Sequence, residues 1–321
     1  MSWIALVITL LIEQVRPLPL RNPVYAAVSS LAGDAERNMN AGRRRHGMYA
    51  WLLIVGGATV LVGAMHAALL ALFWLAALAL NVLILYFTLG FRQFSHHFTL
   101  IQAALDGGDL AAAQHALTEW KQAGDRTYNA AGLEASEVVR QAIEHALLLS
   151  LRHVFGVLFW FVLLPGPMGA VMYRLADYLA RRWSRTRSDG TPPDHFGEFA
   201  KQAFAWIDWL PARLTALGFA IVGDFEGTLF CWRQVTRAPA VDGMPSPDTR
   251  TLVLAAASGA LGTRVMGISE TAKYFDETSQ DVANLAEPSV NTLHSVVGLA
   301  WRALLLWLGL LLLLTLAAWF S

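Results

Sequence analysis

Hydrophobic residues in this chain fall in blocks rather than in short alternation. Five apolar stretches stand out, at residues 3–12, 48–64, 67–89, 146–164 and 297–320. A straight membrane-spanning helix needs roughly 20 apolar residues. The first stretch is too short to span alone. It lacks a basic segment in front and a small-residue cleavage site close behind, so a cleaved signal peptide is not expected. The second and third approach full length and meet at Met65-His66, where a tight helical hairpin is predicted. The fourth stops at Pro165-Gly166-Pro167, a pair of helix breakers around a glycine. Residues 168–180 then read as the return arm of a second, shorter hairpin, spanning or re-entrant. The last stretch is the clearest span: LLLWLGLLLLLTLAAWF is uncharged from Leu304 onward, with Trp301, Trp307 and Trp319 suited to interfaces.

Between the spans the pattern turns polar and helical. Gly107-Gly108 ends one helix, and Asp109 caps the next, which carries Leu110, Ala113, Leu117 and Trp120 on one face until Gly124 closes it. A further helix begins near Leu133, where Glu137, Arg140 and Glu144 share a face as a solvated row with an ion pair. Residues 184–194 and 237–249 are turn-rich, with glycine and several prolines. No long period-two alternation appears, so the fold class is all-α: a polytopic integral membrane protein of spanning and re-entrant hairpins plus cytoplasmic helices. The segments are residues 1–90 (first membrane helices), 91–145 (cytoplasmic helices), 146–230 (central membrane or re-entrant helices), 231–296 (cytoplasmic loop and helices) and 297–321 (last span).

Composition agrees. Of 321 residues, 55% are hydrophobic and 15% charged, and the mean hydropathy is +0.44; soluble domains carry about 25% charged residues. Formal net charge is zero, so no global basic signal points to nucleic acid. Basic residues nevertheless gather locally: Arg16, Arg21, Arg37, Arg43, Arg44 and Arg45, then Arg174, Arg181, Arg182, Arg185, Arg187 and Lys201. The positive-inside rule places both groups in the cytoplasm of an inner-membrane protein. The single cysteine, Cys231, excludes an intrachain disulfide and multi-cysteine metal sites, and reads as a buried apolar residue. A Walker-type phosphate loop, an H-E-x-x-H pair and a Gly-x-Ser-x-Gly elbow are all lacking. His96-His97 are adjacent, hence about 100° apart on a helix and poor partners for one metal.

What remains is charge in apolar surroundings, which at membrane depth faces protein or water rather than lipid. Arg152-His153 interrupt residues 146–164. Arg302 lies close enough to a helix end to snorkel. Residues 204–227, FAWIDWLPARLTALGFAIVGDFEG, hold Asp208, Pro211 and Arg213. Pro211 is best tolerated as the first residue of a helix beginning at Ala212. Asp208 would then precede that helix, either as a cap with a local ion pair or as part of an anion-binding helix start with Arg213 in its first turn.

At LPARLTAL, residues 210–217, the chain resembles the IPARLTAL signature of the CobD/CbiB family of cobalamin-biosynthesis membrane proteins. RNPVYAAVSSLAGDAERNMN (21–40), GDLAAAQHAL (108–117), Asp125-Arg126-Thr127, LFWFVLLPGPMGAVMYR (158–174) and SGALGTRVMG (258–267) resemble further family segments in the same order. The resemblance implies an ATP-dependent amide ligation that joins adenosylcobyric acid to an aminopropanol or its phosphate. It implies ATP and Mg2+ as cofactors, a corrinoid ligand held at membrane lipid, and Arg213 and Arg264 as anion-binding positions, with Asp208 orienting Arg213. Arg152, His153, Arg174 and Asp177 complete the candidate substrate-binding set. The chain departs from the family at several acids: Leu148-Leu149 and Arg152-His153 stand in place of E-N and D-G, Asp177 and Ala180 in place of the Asn and Asp of N-T-L-D-S, and Asp248 at the Asn of S-P-N. LRHVFGVLFWF (151–161) and the 204–227 stretch are also similar to the related AmpE branch, which would imply a non-catalytic membrane regulator of β-lactamase induction.

Overall fold

The computed structural model describes residues 2–15, 23–125, 127–184, 195–237, 247–267, 271, 274–275 and 285–320. The proline-rich and basic loops at 185–194 and 238–246, and Arg16, Arg21 and Arg126, lie outside the described residues. The chain is all-α: among the described residues the β content is an isolated parallel bridge between Thr263 and Ala286. In chain order the helices are α1 (Ser2–Val15), α2 (Pro23–Met39), α3 (Arg44–Trp51), α4 (Gly57–Leu72), α5 (Trp74–Thr88), α6 (Phe91–Asp106), α7 (Leu110–Gln122), α8 (Ala135–Ser150), α9 (Gly156–Leu163), α10 (Met168–Trp183), α11 (Glu198–Val222), α12 (Phe225–Thr236), α13 (Thr249–Leu261) and α14 (Val290–Phe320). Short π-helical turns at Leu52–Gly56 and Leu151–Phe155 join α3 to α4 and α8 to α9. Among the described residues, four continuous helical stretches are long and apolar enough to cross a membrane: Arg44–Leu72, Ala135–Leu163, His195–Val222 and Val290–Ala317.

The chain forms two compact units, Met1–Arg92 with Arg152–Asp208, and Gln93–Leu151 with Trp209–Ser321. In the first, α10 packs on α4, α5 and α9, and α1 packs on α5. Leu53, Val60 and Leu61 on Arg44–Leu72 point outward, as expected of a helix whose solvent is hydrocarbon. In the second, α8 packs on α7, α13 and α14, and α12 packs on α13. Helix α13 is buried from Thr251 to Gly259. Its small residues permit that: a Cβ on Gly259 would lie 2.2 Å from the Gly227 carbonyl oxygen of α12.

Two sequence expectations are corrected here. The first hairpin does not turn at Met65-His66. Neither residue breaks a helix, and the helix runs through them to Leu72; the reversal is at Phe73, whose backbone is extended (φ −159°, ψ 106°). His66 instead packs against the second turn, where Gly166 (φ +67°) leaves no room for a side chain: a Cβ there would lie 2.5 Å from His66 Nδ1. Nor does Pro211 begin a helix. It lies inside the 25-residue α11, so Asp208 is a mid-helix residue and not a cap. The capping aspartate of that stretch is Asp224, which accepts from the Gly227 amide at 3.2 Å and opens α12.

Other boundaries agree with the sequence. The second turn is at Pro165-Gly166-Pro167, and Asp109 accepts from the Ala112 amide at 2.9 Å to cap α7. Ala113, Leu117 and Trp120 form that helix's buried face.

Candidate functional site

In the first unit the site is built on α10. Arg174, Asp177 and Arg181 are spaced i, i+3, i+7 and therefore project from one face. Asp177 is fully buried, and its Oδ2 accepts from Arg174 Nη1 at 3.4 Å and from Arg181 Nη2. Arg152 arrives from a different element. The π-helical turn at Leu151–Phe155 breaks the regular phase of the Ala135–Leu163 helix, a local irregularity frequent at functional sites. It sets Arg152 Nε 3.8 Å from Asp177 Oδ1, close enough for ion pairing but beyond hydrogen-bond reach. Both of those atoms are buried without a hydrogen-bond partner. The three guanidinium side chains remain 24–34% exposed, while the carboxylate they surround is closed off.

A second buried acid adjoins this cluster. The Tyr173 hydroxyl, one residue before Arg174, donates to Asp208 Oδ1 at 2.7 Å, and both residues are buried. The approach depends on Gly156: a Cβ there would lie 2.1 Å from the tyrosine ring. Of the candidate set, then, the first unit brings together Arg152, Arg174 and Asp177. It places Asp208 on the neighbouring tyrosine and His153 beside Arg152 on the same turn. Arg181 and Tyr173 belong to the cluster and were not singled out from sequence. The i+4 spacing of Arg181 from Asp177 was the available signal.

Arg213 and Arg264 lie in the second unit. Asp208 and Arg213 are five apart on a continuous helix, so their side chains leave it about 140° apart. They thus leave different sides of the helix, and one partner of Asp208 is Tyr173. The Arg213 guanidinium lies 4.0 Å over the Trp209 ring and donates back to the Trp209 carbonyl at 3.2 Å. Arg264 is in the bridge segment after α13, where its amide donates to the Ala286 carbonyl at 2.9 Å and its Nε is buried without a hydrogen-bond partner. The same segment touches α8, since a Cβ on Gly267 would lie 3.7 Å from Arg140 Nη1.

The row Glu137, Arg140, Glu144 is more than a solvated face. Arg140 forks onto Glu137 (Nε–Oε2 2.8 Å) and reaches Glu144 at 3.2 Å. Arg250 of α13, 106 positions away in sequence, adds two bonds to Glu144 Oε1 at 2.9 and 2.7 Å. Gln141 extends the network, donating to Glu137 and accepting from Lys121 and the Tyr128 hydroxyl. Burial lowers the Lys121 pKa, with Glu144 opposing and Arg140 and Arg250 adding to the shift. Burial, then the charge of Glu137, pushes the Tyr128 phenol up to about 12.

Magnesium requires several oxygen ligands in a nearly octahedral array. No group of three or more His, Cys, Asp or Glu side chains able to hold a metal occurs among the described residues. Asp177 is engaged by guanidiniums, and so are Glu137 and Glu144. These acids do not fit a divalent cation. Asp248 has a structural role, accepting from the Thr251 amide at 3.4 Å at the start of α13.

Comparison with known proteins gives a consistent picture. The family model described as "CobD/Cbib protein" matches residues 3–300. The chain is 30% identical over 316 residues to the "Cobalamin biosynthesis protein CobD" of Stutzerimonas stutzeri, covering 97% of each chain. It is 35% identical over 227 residues to the protein of the same name from Chromobacterium violaceum, covering 68% of this chain and 66% of that one. The AmpE-like reading finds no support in these relatives. No solved structure gives a significant match.

Proposed function

The chain belongs to the CobD/CbiB family, and on that premise we propose that it acts in cobalamin biosynthesis, joining adenosylcobyric acid to an aminopropanol or its phosphate through an amide bond. The observation that carries this reading is the end-to-end match: a relative named for cobalamin biosynthesis aligns over 97% of both chains. The ligation forms an amide C–N bond at a corrinoid carboxyl group with loss of a carboxyl oxygen, and ATP, when bound, would supply the activation that carries that oxygen away. ATP, the corrinoid carboxylate and an aminopropanol phosphate all carry anionic groups. The side chains suited to hold them are the partly exposed guanidiniums of Arg152, Arg174 and Arg181 in the first unit, and Arg213 and Arg264 in the second. A guanidinium meets a carboxylate or phosphate with paired donors, so these are anchors of orientation as much as of charge. In this reading the protein is embedded in the inner membrane with its basic segments in the cytoplasm, where ATP is available.

Complementation tests the proposal. A strain lacking its cobinamide-phosphate synthase, carrying this chain, should regain growth that depends on cobalamin made from cobyric acid. The Arg174→Ala variant should fail to support it. Normal expression in the membrane without rescue overturns the reading.

A further inference from the structure

The cluster around Asp177 is unbalanced in charge. Three guanidiniums (Arg152, Arg174 and Arg181) converge on one fully buried carboxylate. Even counting Asp208, reached through Tyr173, three cations face two anions. Arginine stays protonated in proteins, so the surplus cannot be relieved by losing a proton. A structural ion pair needs one arginine for one carboxylate, and the Arg181 bond to Asp177 already provides it. The remaining donors are therefore in excess of what holds Asp177. Arg152 Nε is buried without a hydrogen-bond partner while its side chain keeps 27% of its surface open. A group arriving from solvent would find several N–H donors already converged.

We propose that Arg152, Arg174 and Arg181 form an oxyanion site that takes a phosphate group directly, without a bridging divalent cation. The mismatch between the local acids and magnesium points the same way, since the charge that a metal would supply to a phosphate is already covalently present. Asp177 then acts as a positioning residue: it gathers the guanidiniums and competes with the incoming anion for them. The inference rests on the reading of this unit as substrate-binding. Its test is separate, because complementation reads the reaction and equilibrium binding reads the anion.

The experiment is calorimetric titration of inorganic pyrophosphate into the full-length protein in dodecyl maltoside, in phosphate-free buffer with EDTA. Saturable binding is expected with EDTA present. Arg152→Gln and Arg181→Gln should each weaken it at least tenfold, and Arg37→Gln, at an exposed arginine paired with Asp34, should leave it unchanged. Asp177→Asn is the discriminating variant. Removal of the competing charge should tighten binding several-fold, whereas a merely structural cluster would gain nothing. Melting curves recorded in parallel identify a variant that has lost its fold. Binding that appears only with Mg2+, or that the two glutamine variants retain, overturns the proposal, as does Asp177→Asn folded but without gain. Repeating the titration in nanodiscs with and without phosphatidylglycerol separates the sources of phosphate. Competition by the anionic lipid, relieved in Arg152→Gln, assigns the site to a headgroup, and its absence assigns it to a soluble phosphate.

Discussion

The indole N–H of Trp160 donates to the carbonyl of Ile207 at 3.2 Å, and Ile207 is the residue whose carbonyl Pro211 leaves without its regular helical donor. A proline inside a helix removes the bond to the residue four positions back and costs about 3 kcal/mol. Such prolines persist in membrane helices where a neighbouring group satisfies the freed oxygen. Trp160, 47 positions away, is that neighbour.

Trp160→Phe should therefore destabilise the protein by about 1 kcal/mol, the worth of an ordinary hydrogen bond. In a Pro211→Ala background, where an amide again faces Ile207, the same change should cost markedly less. A double-mutant cycle in detergent measures the coupling, and additivity within error would show the indole bond to be incidental.

Gly156→Ala should be severely disruptive. The new Cβ would lie 2.1 Å from Tyr173, which would have to withdraw from Asp208. Overpacking typically costs about 1–3 kcal/mol, and the loss of a donor to a buried carboxylate adds to it. Gly309→Ala, where nothing lies within 4 Å, is the matched control and should be neutral or mildly stabilising. Equal melting temperatures for the two variants would contradict this account.

Two ion pairs should differ in value. Asp34 and Arg37 are exposed, with 49% and 73% of their side-chain surfaces open, and Asp34→Ala should change stability by less than about 0.5 kcal/mol. Glu144 is only 14% exposed and is shared by Arg140 and Arg250. Its replacement by alanine removes the acceptor that Arg250 shares with Arg140, which keeps only its fork onto Glu137, and should cost about 3 kcal/mol. Chemical unfolding of both variants provides the comparison.

Alkaline pH should unpick the network around Gln141. The Tyr128 phenol ionises at about 12 in the folded protein, above its ordinary value near 10. A group whose folded pKa is raised contributes stability that is fully present below the unfolded pKa and is lost as pH rises. That contribution should disappear between about pH 10 and 12. The difference in absorbance titration at 295 nm between wild type and Tyr128→Phe should show one phenol titrating near 12; a step near 10 would refute the assignment.

Cys231 should be inert. It is buried on α12, and burial pushes its thiol up to about 12, far from the thiolate that maleimides attack. Labelling of the native protein at pH 7.5 should be negligible over an hour and complete after unfolding in SDS. Rapid native labelling would place α12 differently.

What the sequence alone determined was local. The turn at Pro165-Gly166-Pro167 and the Asp109 cap follow from single residues and their immediate neighbours. The shared face of Glu137, Arg140 and Glu144 follows from helical period. The family resemblance was legible too, because motif order needs no coordinates. Where a local rule was applied alone it misled: the cost of an interior proline favoured a helix start at Ala212, and the stabilising indole came from another helix. The turn at Phe73 had no local signature, because it interrupts a run of apolar residues without glycine or proline.

Tertiary structure decided the rest. Arg250 on Glu144, Arg152 on Asp177 and Tyr173 on Asp208 join residues 106, 25 and 35 positions apart. Sequence spacing carries information about pairs within a helical turn or two, where backbone geometry fixes the distance. Beyond that range, the contact a charged side chain makes depends on how whole helices pack, and the charge surplus around Asp177 exists only once α10 and the turn at Leu151–Phe155 have been brought together.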